Sequence, residues 1–532
     1  LGRGKRLGKR PGRRVRLGKR QLVRGKRLRL WLGRRVRLGK RQLGRGKRLG
    51  KRLVRLHCRL GQRLRFLTVK AGVYLAFGGA CVGLVLFFHQ GGGWNQNSRL
   101  LPVYAIVENG SLRADRWRFL TGDYAEIGGH VYGDKAPLAS LSVLPWYWLW
   151  RHHSPGPQTA HDHHVALHIA DLVAAAIPFS IFAVLLLARL SRVAPPSRAA
   201  WMALTTAFGT CLVCYGGMFF SHMLAATLFL AAYVLAIDRQ RSFVLAGFLG
   251  ALAVAAEYPM ALGEAILIGY LAIGPDRRRR VIGYLLGAAP VAAFLLGYNR
   301  ALTGGWFDLA YAHENAGFRE MRAAFGLRLP SANALWELIF GQAHGVVFYA
   351  PALALFLPLL VLKFDGPRHR RNLVLLLLAS YLLLISSYFM FAGGACVGPR
   401  HLAPVIALGC YEGVAALAKQ TRWRLTFVVL SAWGIVLSLT AAATDAQPSP
   451  SLRSPAFEDF LPRLLAGHIN AHNVLVELGL PNGRYVVVAW FVLLGLTGAG
   501  FSRWLRDGRQ RGTLPGSAFP TDCPIASASG GG

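Results

Sequence analysis

A few ionisable residues in one polar stretch have the types needed for a group transfer. Residues 95–137 read NQNSRLLPVYAIVENGSLRADRWRFLTGDYAEIGGHVYGDKAP and carry Asp123 in TGD and Asp134-Lys135 in GDKAP. A carboxylate within hydrogen-bond reach can take the proton of an attacking hydroxyl. Lysine or arginine can take up the charge of a departing phosphate. Asp123 and Asp134 are therefore the expected catalytic residues. Asn97, Arg99, Lys135, Arg400 and His401 are the expected substrate and phosphate contacts, and Glu108, His130, Glu257 and Glu314 are secondary candidates. No metal ligand set is assigned. Each position also has a plainer reading. An aspartate can be a salt-bridge partner or a helix cap, Arg400 can be a snorkelling interfacial arginine, and Glu257-Tyr258-Pro259 can be a turn between two apolar runs.

The elements that must hold these groups are apolar. The chain of 532 residues is 53% hydrophobic and 16% charged, with a mean hydropathy of +0.36. A soluble domain carries about 25% charged residues. Apolar runs recur at 68–90, 165–190, 200–220, 222–237, 242–256, 259–273, 281–298, 345–362, 372–391, 401–418, 424–443 and 485–501. This predicts an all-α integral membrane protein, a polytopic helical bundle of about 11–13 spans with a large folded first external loop. Basic clusters at 189–198, 238–241, 276–280, 363–371, 419–424 and 503–511 separate the runs. If they are cytoplasmic, the N-terminus is cytoplasmic and the segments 91–137, 299–344, 393–400 and 448–484 lie outside. The run 138–150 is short for a span, and a tilted or re-entrant piece is expected there. Residues 100–108 and 114–120 have the mixed polarity of helices lying on a membrane surface. The glycines of GGACVGPRH, residues 393–401, allow close approach of backbone to a ligand.

The net charge of +40 misleads, because residues 1–66 hold 28 of the 63 basic residues and no acidic one. That arm is repetitive: GRRVRLGKRQL occurs at 12–22 and again at 33–43. It reads as a basic tail for nucleic acid or anionic lipid, as a chain without a fold, or as translation upstream of a start near 67–73. The last is preferred, so no nucleic-acid partner is expected. Residues 67–505 form the membrane domain, and 506–532 are read as a disordered tail. The seven scattered cysteines are not a disulfide framework, and Cys211 and Cys214 read as packing residues in spite of their CxxC spacing. His164 and His168 are four apart, which suits a metal on a helix face, but a solvated linker is the preferred reading of 151–168.

Four motifs taken in order carry a resemblance. NSRLLPVYAIVENGSLRAD, TGDYAEIGGHVYGDKAP, YNRALTGGWF and GGACVGPRHLAP resemble bacterial polytopic proteins of the GT-C glycosyltransferase superfamily, including relatives of protein O-mannosyltransferases and aminoarabinose transferases. The resemblance covers about 68–501. It implies a GT-C-like helical core in a bacterial inner (plasma) membrane, serving the cell envelope. It further implies transfer of a sugar from a polyprenyl-phosphate donor substrate to an unidentified glycan, lipid or protein acceptor at the external face, with membrane lipid as a partner and no cofactor. GT-C enzymes place an acidic pair early in the first loop. Asn95, Asn97, Ser98 and Arg99 stand there in this chain. The alternative is a non-catalytic protein of the same fold or a transporter of lipid-linked saccharide. A transporter would show midplane charges and internal repeats.

Overall fold

The computed structural model describes residues 71–240 and 242–510. The arm 1–66 and residues 511–532 of the expected tail lie outside the described residues. Among the described residues, seven helices are long and apolar enough to cross a membrane: Ala160–Leu190, Ser221–Asp238, Arg277–Thr303, Arg368–Ser386, Arg400–Ala418, Arg424–Thr444 and Tyr485–Gly508. Four shorter apolar helices accompany them, at Ala71–Leu86, Phe243–Ala256, Met260–Leu271 and Ala352–Leu362. The protein is thus a polytopic all-α membrane protein. Large apolar side chains such as Leu286, Phe294, Val488 and Leu496 point outward. Such a surface suits lipid rather than water.

The helix boundaries differ from the hydropathy reading where the backbone breaks. The run 200–220 becomes helix Pro196–Phe208, a break at Gly209 and the short helix Leu212–Gly216. The run 345–362 splits at Pro351 into Val346–Tyr349 and Ala352–Leu362. The last helix, Tyr485–Gln510, runs past the expected end of the membrane domain at 505. The longest element, Ala160–Leu190, begins with a capping box. Thr159 accepts from the Asp162 N–H and the Asp162 carboxylate accepts from the Thr159 N–H. That exchange satisfies two donors a helix start leaves orphaned.

The run 138–150 forms the 16-residue helix Leu138–His153, shorter than any of the seven candidate spans. Ser140 donates to the Arg99 carbonyl near its start, and Arg151 pairs with Glu108 near its end. Both ends of this helix are therefore tied to the first loop. The reading of 100–108 as a surface helix also changes. Helix Trp94–Asn109 is buried on all sides from Ser98 to Ala105. Tyr104 packs on Tyr147 and shares a 2.8 Å hydrogen bond with His163. This helix is a core element of the loop.

After it, a 3₁₀ turn at Asp115–Leu120 leads into the hairpin β1 (Ala125–Ile127) and β2 (His130–Tyr132). Gly128 and Gly129 connect the strands with φ of 59° and 78°. A two-residue hairpin turn of this hand needs positive φ at both positions, which glycine takes without a steric penalty. The register pairs Ala125 with Tyr132 and Ile127 with His130.

Polar groups collect at two ends of the bundle. At one end four of the basic clusters meet. Arg189 bridges Asp365 and Glu412, each at 3.3 Å. Arg370 pairs with Asp238 at 2.7 Å and with Glu412, while Arg192 reaches Asp238 at 2.8 Å and Lys419 reaches Asp365 at 2.5 Å. Tyr233 and Tyr411 donate to Glu412 and Asp238. The other end carries the first loop, the 299–344 segment and the 393–400 turn.

Candidate functional site

The hairpin sets the geometry of the site. Its pairing sum places residue 123 across from residue 134, two steps beyond the observed Ala125–Tyr132 pair. Asp123 and Asp134 therefore stand side by side where the strands run into Gly133 and Lys135. The 299–344 segment is stitched onto the same hairpin. Glu314 bridges to Ala125, the Asn315 N–H donates to the Tyr124 carbonyl at 3.2 Å, and the Asn315 side chain donates to the Gly122 carbonyl at 2.8 Å. These contacts bring Glu314 to the two aspartates.

Lys135 stands among the three carboxylates. Its Nζ lies 2.6 Å from Asp123 Oδ1 and 3.7 Å from Glu314 Oε1, and it also bonds Asp134. Tyr311 presents its ring to the same ammonium at 5.1 Å. Ser98 donates to Asp134. Asp134 and Glu314 are almost fully buried, at 0% and 1% exposure, against 8% for Asp123. Asp123 Oδ2 takes no hydrogen bond among the described residues, so it is the carboxylate oxygen left for an incoming group.

Three carboxylates around one ammonium cannot all be ionised at low cost. Burial, then the Asp134 charge, pushes Glu314 up to about 11. Glu314 is therefore a neutral acid near pH 7 and hydrogen-bonds Asp134. Burial opposes ionisation of Asp134 too, but the Lys135 charge and the hydrogen bonds from Glu314, Lys135 and Ser98 pull it down to about 2. Asp123 is raised by burial and by Asp134, with Lys135 opposing. The two Asp charges hold Lys135 well above the ordinary lysine range, against its burial. The cluster thus contains a stable anion, a stored proton and a carboxylate with a raised pKa.

Arg400 is the second cation. It is 9% exposed, its Nε is buried without a hydrogen-bond partner, and no carboxylate lies within ion-pair distance among the described residues. Its guanidinium sits 5.2 Å from the Phe220 ring centroid. Gly393 gives it room, since a Cβ there would lie 2.9 Å from Arg400 Nε. Lys135, Arg400, Glu314 and Asp123 all lie near enough to Tyr388 to act on it electrostatically. Tyr388 packs edge-on against His401, with ring centroids 5.5 Å apart. His401 Nδ1 is 3.3 Å from His222 Nε2, and His222 Nδ1 is 3.5 Å from Glu257.

Arg99 closes that chain of groups. It pairs with Glu257 at 2.9 Å, donates to Ser221, and donates to Asn95 Oδ1 at 2.7 Å. Its Nε, Nη1 and Nη2 are all engaged, so it orients Glu257 and leaves no donor for a phosphate. Asn97 donates to the Leu120 carbonyl at 2.8 Å and so fixes the end of the 3₁₀ turn. Two secondary candidates stand elsewhere. Glu108 pairs with Arg151, which also reaches Asp162. His130 meets Asp115 at 2.9 Å on the outer face of the hairpin.

The structure adds Ser98, Ser221, His222, Tyr311 and Tyr388, which sequence reasoning did not single out. Ser221-His222 opens an apolar helix and reads as a span start. Only the fold turns that start toward Arg99 and His401.

Among the described residues, two groups of side chains have the geometry to hold a cation: Asp123, Asp134 and Glu314, and separately His89, His168 and Glu477. In the first, Lys135 Nζ already supplies positive charge among the oxygens. A groove of about 420 Å³ between helices Pro196–Phe208 and Arg424–Thr444 contains none of the site residues.

Fold and site define a polytopic helical membrane protein with a buried charged cluster at one end of the bundle. The chain is similar to two crystal structures of ArnT from Cupriavidus metallidurans, one in the apo state and one bound to undecaprenyl phosphate. The identities are 14% and 15%. Each alignment covers 83% of this chain and 77% of that chain, with a TM-score of 0.46. No family model and no curated protein matches the chain.

Proposed function

We propose that this protein is an integral-membrane glycosyltransferase that moves a sugar from a polyprenyl-phosphate donor to an acceptor at the external face. The observation that carries this reading is the cluster of Asp123, Asp134 and Glu314 around Lys135, beside a buried Arg400 that has no carboxylate within ion-pair distance among the described residues. A buried unpaired cation is costly. The phosphate of a donor would relieve that cost. In this reading Asp123 Oδ2 takes the proton of the acceptor hydroxyl as its oxygen attacks the anomeric carbon. The bond from that carbon to the phosphate oxygen breaks, and its electron pair leaves with the phosphate. Lys135 and Arg400 take up the developing charge. Asp134 and Glu314 act on the reaction by holding Lys135. No cofactor is required, since these two side chains supply the positive charge. The gathering of basic clusters at the opposite end of the bundle supports an external site and a cytoplasmic N-terminus.

The test is incubation of the purified full chain with radiolabelled polyprenyl-phosphate sugars and membrane acceptors. Transfer that depends on Asp123 and Arg400 supports the reading. Absence of transfer from every donor offered, or transfer indifferent to both residues, overturns it.

A further inference from the structure

A second convergence of polar groups lies outside the transfer site. His89 follows the first apolar helix, His168 belongs to helix Ala160–Ala170, and Glu477 ends the short helix Val474–Glu477. Glu477 Oε1 is 2.6 Å from His89 Nε2 and 3.0 Å from His168 Nε2, and the two nitrogens are 3.2 Å apart. His164 and His472 flank them. The His164 ring lies 4.2 Å from that of His168, and the His472 ring lies 5.4 Å from that of His89.

The hydrogen bonds fix what His168 offers. Its Nδ1 lies 2.9 Å from the His164 carbonyl, which can only accept, so Nδ1 carries the hydrogen. In the neutral ring Nε2 is then a bare lone pair aimed at a carboxylate oxygen. Two lone pairs facing each other repel unless a cation lies between them. This is how the second nitrogen of a metal-binding histidine is commonly set.

We infer that His89, His168 and Glu477 form a divalent transition-metal site of the zinc class, with His164 or His472 available as a further ligand. The donor set is imidazole-rich with one carboxylate, which suits zinc. Bonds of about 2.0–2.1 Å in a tetrahedron separate donor atoms by about 3.3 Å. Against the observed 3.2, 3.0 and 2.6 Å, the three separations need open by about 0.1, 0.3 and 0.7 Å. The backbone around the ligands is already tied. Phe88 bridges to Asn473, the Val474 N–H donates to the Phe87 carbonyl, and Asn470 donates to the His89 carbonyl at 3.0 Å. The metal would lock together three segments distant in sequence, just before helix Trp94–Asn109 that carries Ser98 and Arg99. It is a structural brace, independent of the transfer reaction.

The test uses the full chain without a polyhistidine tag, purified in detergent, stripped with chelator and titrated with Co²⁺. The expected result is one equivalent giving the visible absorption of an imidazole-bound tetrahedral Co²⁺, displaced by Zn²⁺. His168→Ala and Glu477→Gln alter partly exposed side chains. Each should weaken binding on the order of 100-fold or more, while Asp123→Asn and Glu314→Gln keep the band. Absence of the band, its survival in both His168→Ala and Glu477→Gln, or its loss in the carboxylate-cluster variants overturns the inference.

Discussion

The two ends of the bundle treat buried charge differently. At one end Asp238, Asp365 and Glu412 are answered by Arg189, Arg192, Arg370 and Lys419, and each carboxylate has a basic partner within 3.3 Å. At the other, Asp123, Asp134 and Glu314 share Lys135, and Arg400 has no carboxylate partner among the described residues. A matched network locks helices against one another. A mismatched one keeps a proton on a carboxyl group and leaves a cation waiting for an anion. Perturbed, unbalanced clusters of this kind mark functional sites. The comparison therefore separates charges matched within the fold from charges left unbalanced at the proposed site.

The sharpest way to break the comparison is to mutate one residue from each end. Asp123→Asn keeps the volume but cannot accept a proton. Transfer of radiolabelled sugar should fall about 10²–10⁴-fold, with the melting temperature close to wild type. Arg370→Met should do the reverse. Removing one partner of a buried ionic network costs about 3–5 kcal/mol, seen as a lower melting temperature in detergent. If Asp123→Asn destabilises the protein as much as Arg370→Met, the two ends do not differ as described.

Arg400→Lys sharpens the same contrast. A compact ammonium cannot reproduce the guanidinium fork. A hydrogen bond to a charged group contributes about 1.5–3 kcal/mol, so kcat/KM for the donor should fall about tenfold to a hundredfold. An unchanged value in a donor titration would mean that no phosphate meets Arg400.

A further contrast lies in pH dependence. Glu314 has a folded-state pKa pushed up to about 11, against 4.5 for the free group. The folded state therefore binds its proton more tightly. This contribution to stability is complete below pH 4.5 and is lost as pH rises toward about 11. Glu314→Gln removes the titration, so its melting temperature should decline less than that of wild type between pH 6 and 10. Parallel curves across that range would show that Glu314 is not the buried acid described here.

Much of this was legible in the chain. The helical membrane class follows from hydropathy alone. Asp123, Asp134 and Lys135 were legible because charged residues in a polar segment between apolar runs have few neutral explanations. Their proximity was legible in principle too, since Gly128-Gly129 is a hairpin turn and counting outward from it pairs 123 with 134. Arg99 was not legible as a structural residue. Its partners Glu257, Ser221 and Asn95 lie up to 158 positions away, and side-chain type alone does not tell a phosphate ligand from a buried ion-pair partner. The linker histidines are similar. The spacing of His164 and His168 hinted at a metal, but His89 and Glu477 come from opposite ends of the chain.

By itself, then, the sequence determined which segments prefer lipid and which must be polar, because transfer free energy is a local property of side chains. Tertiary structure alone decided which charges meet. Pairing depends on distance across helices whose contacts no single segment encodes. That is why Glu108 and His130 stand apart from the cluster, why Glu314 joins it through the Ala125 bridge, and why Arg400 has no carboxylate partner among the described residues.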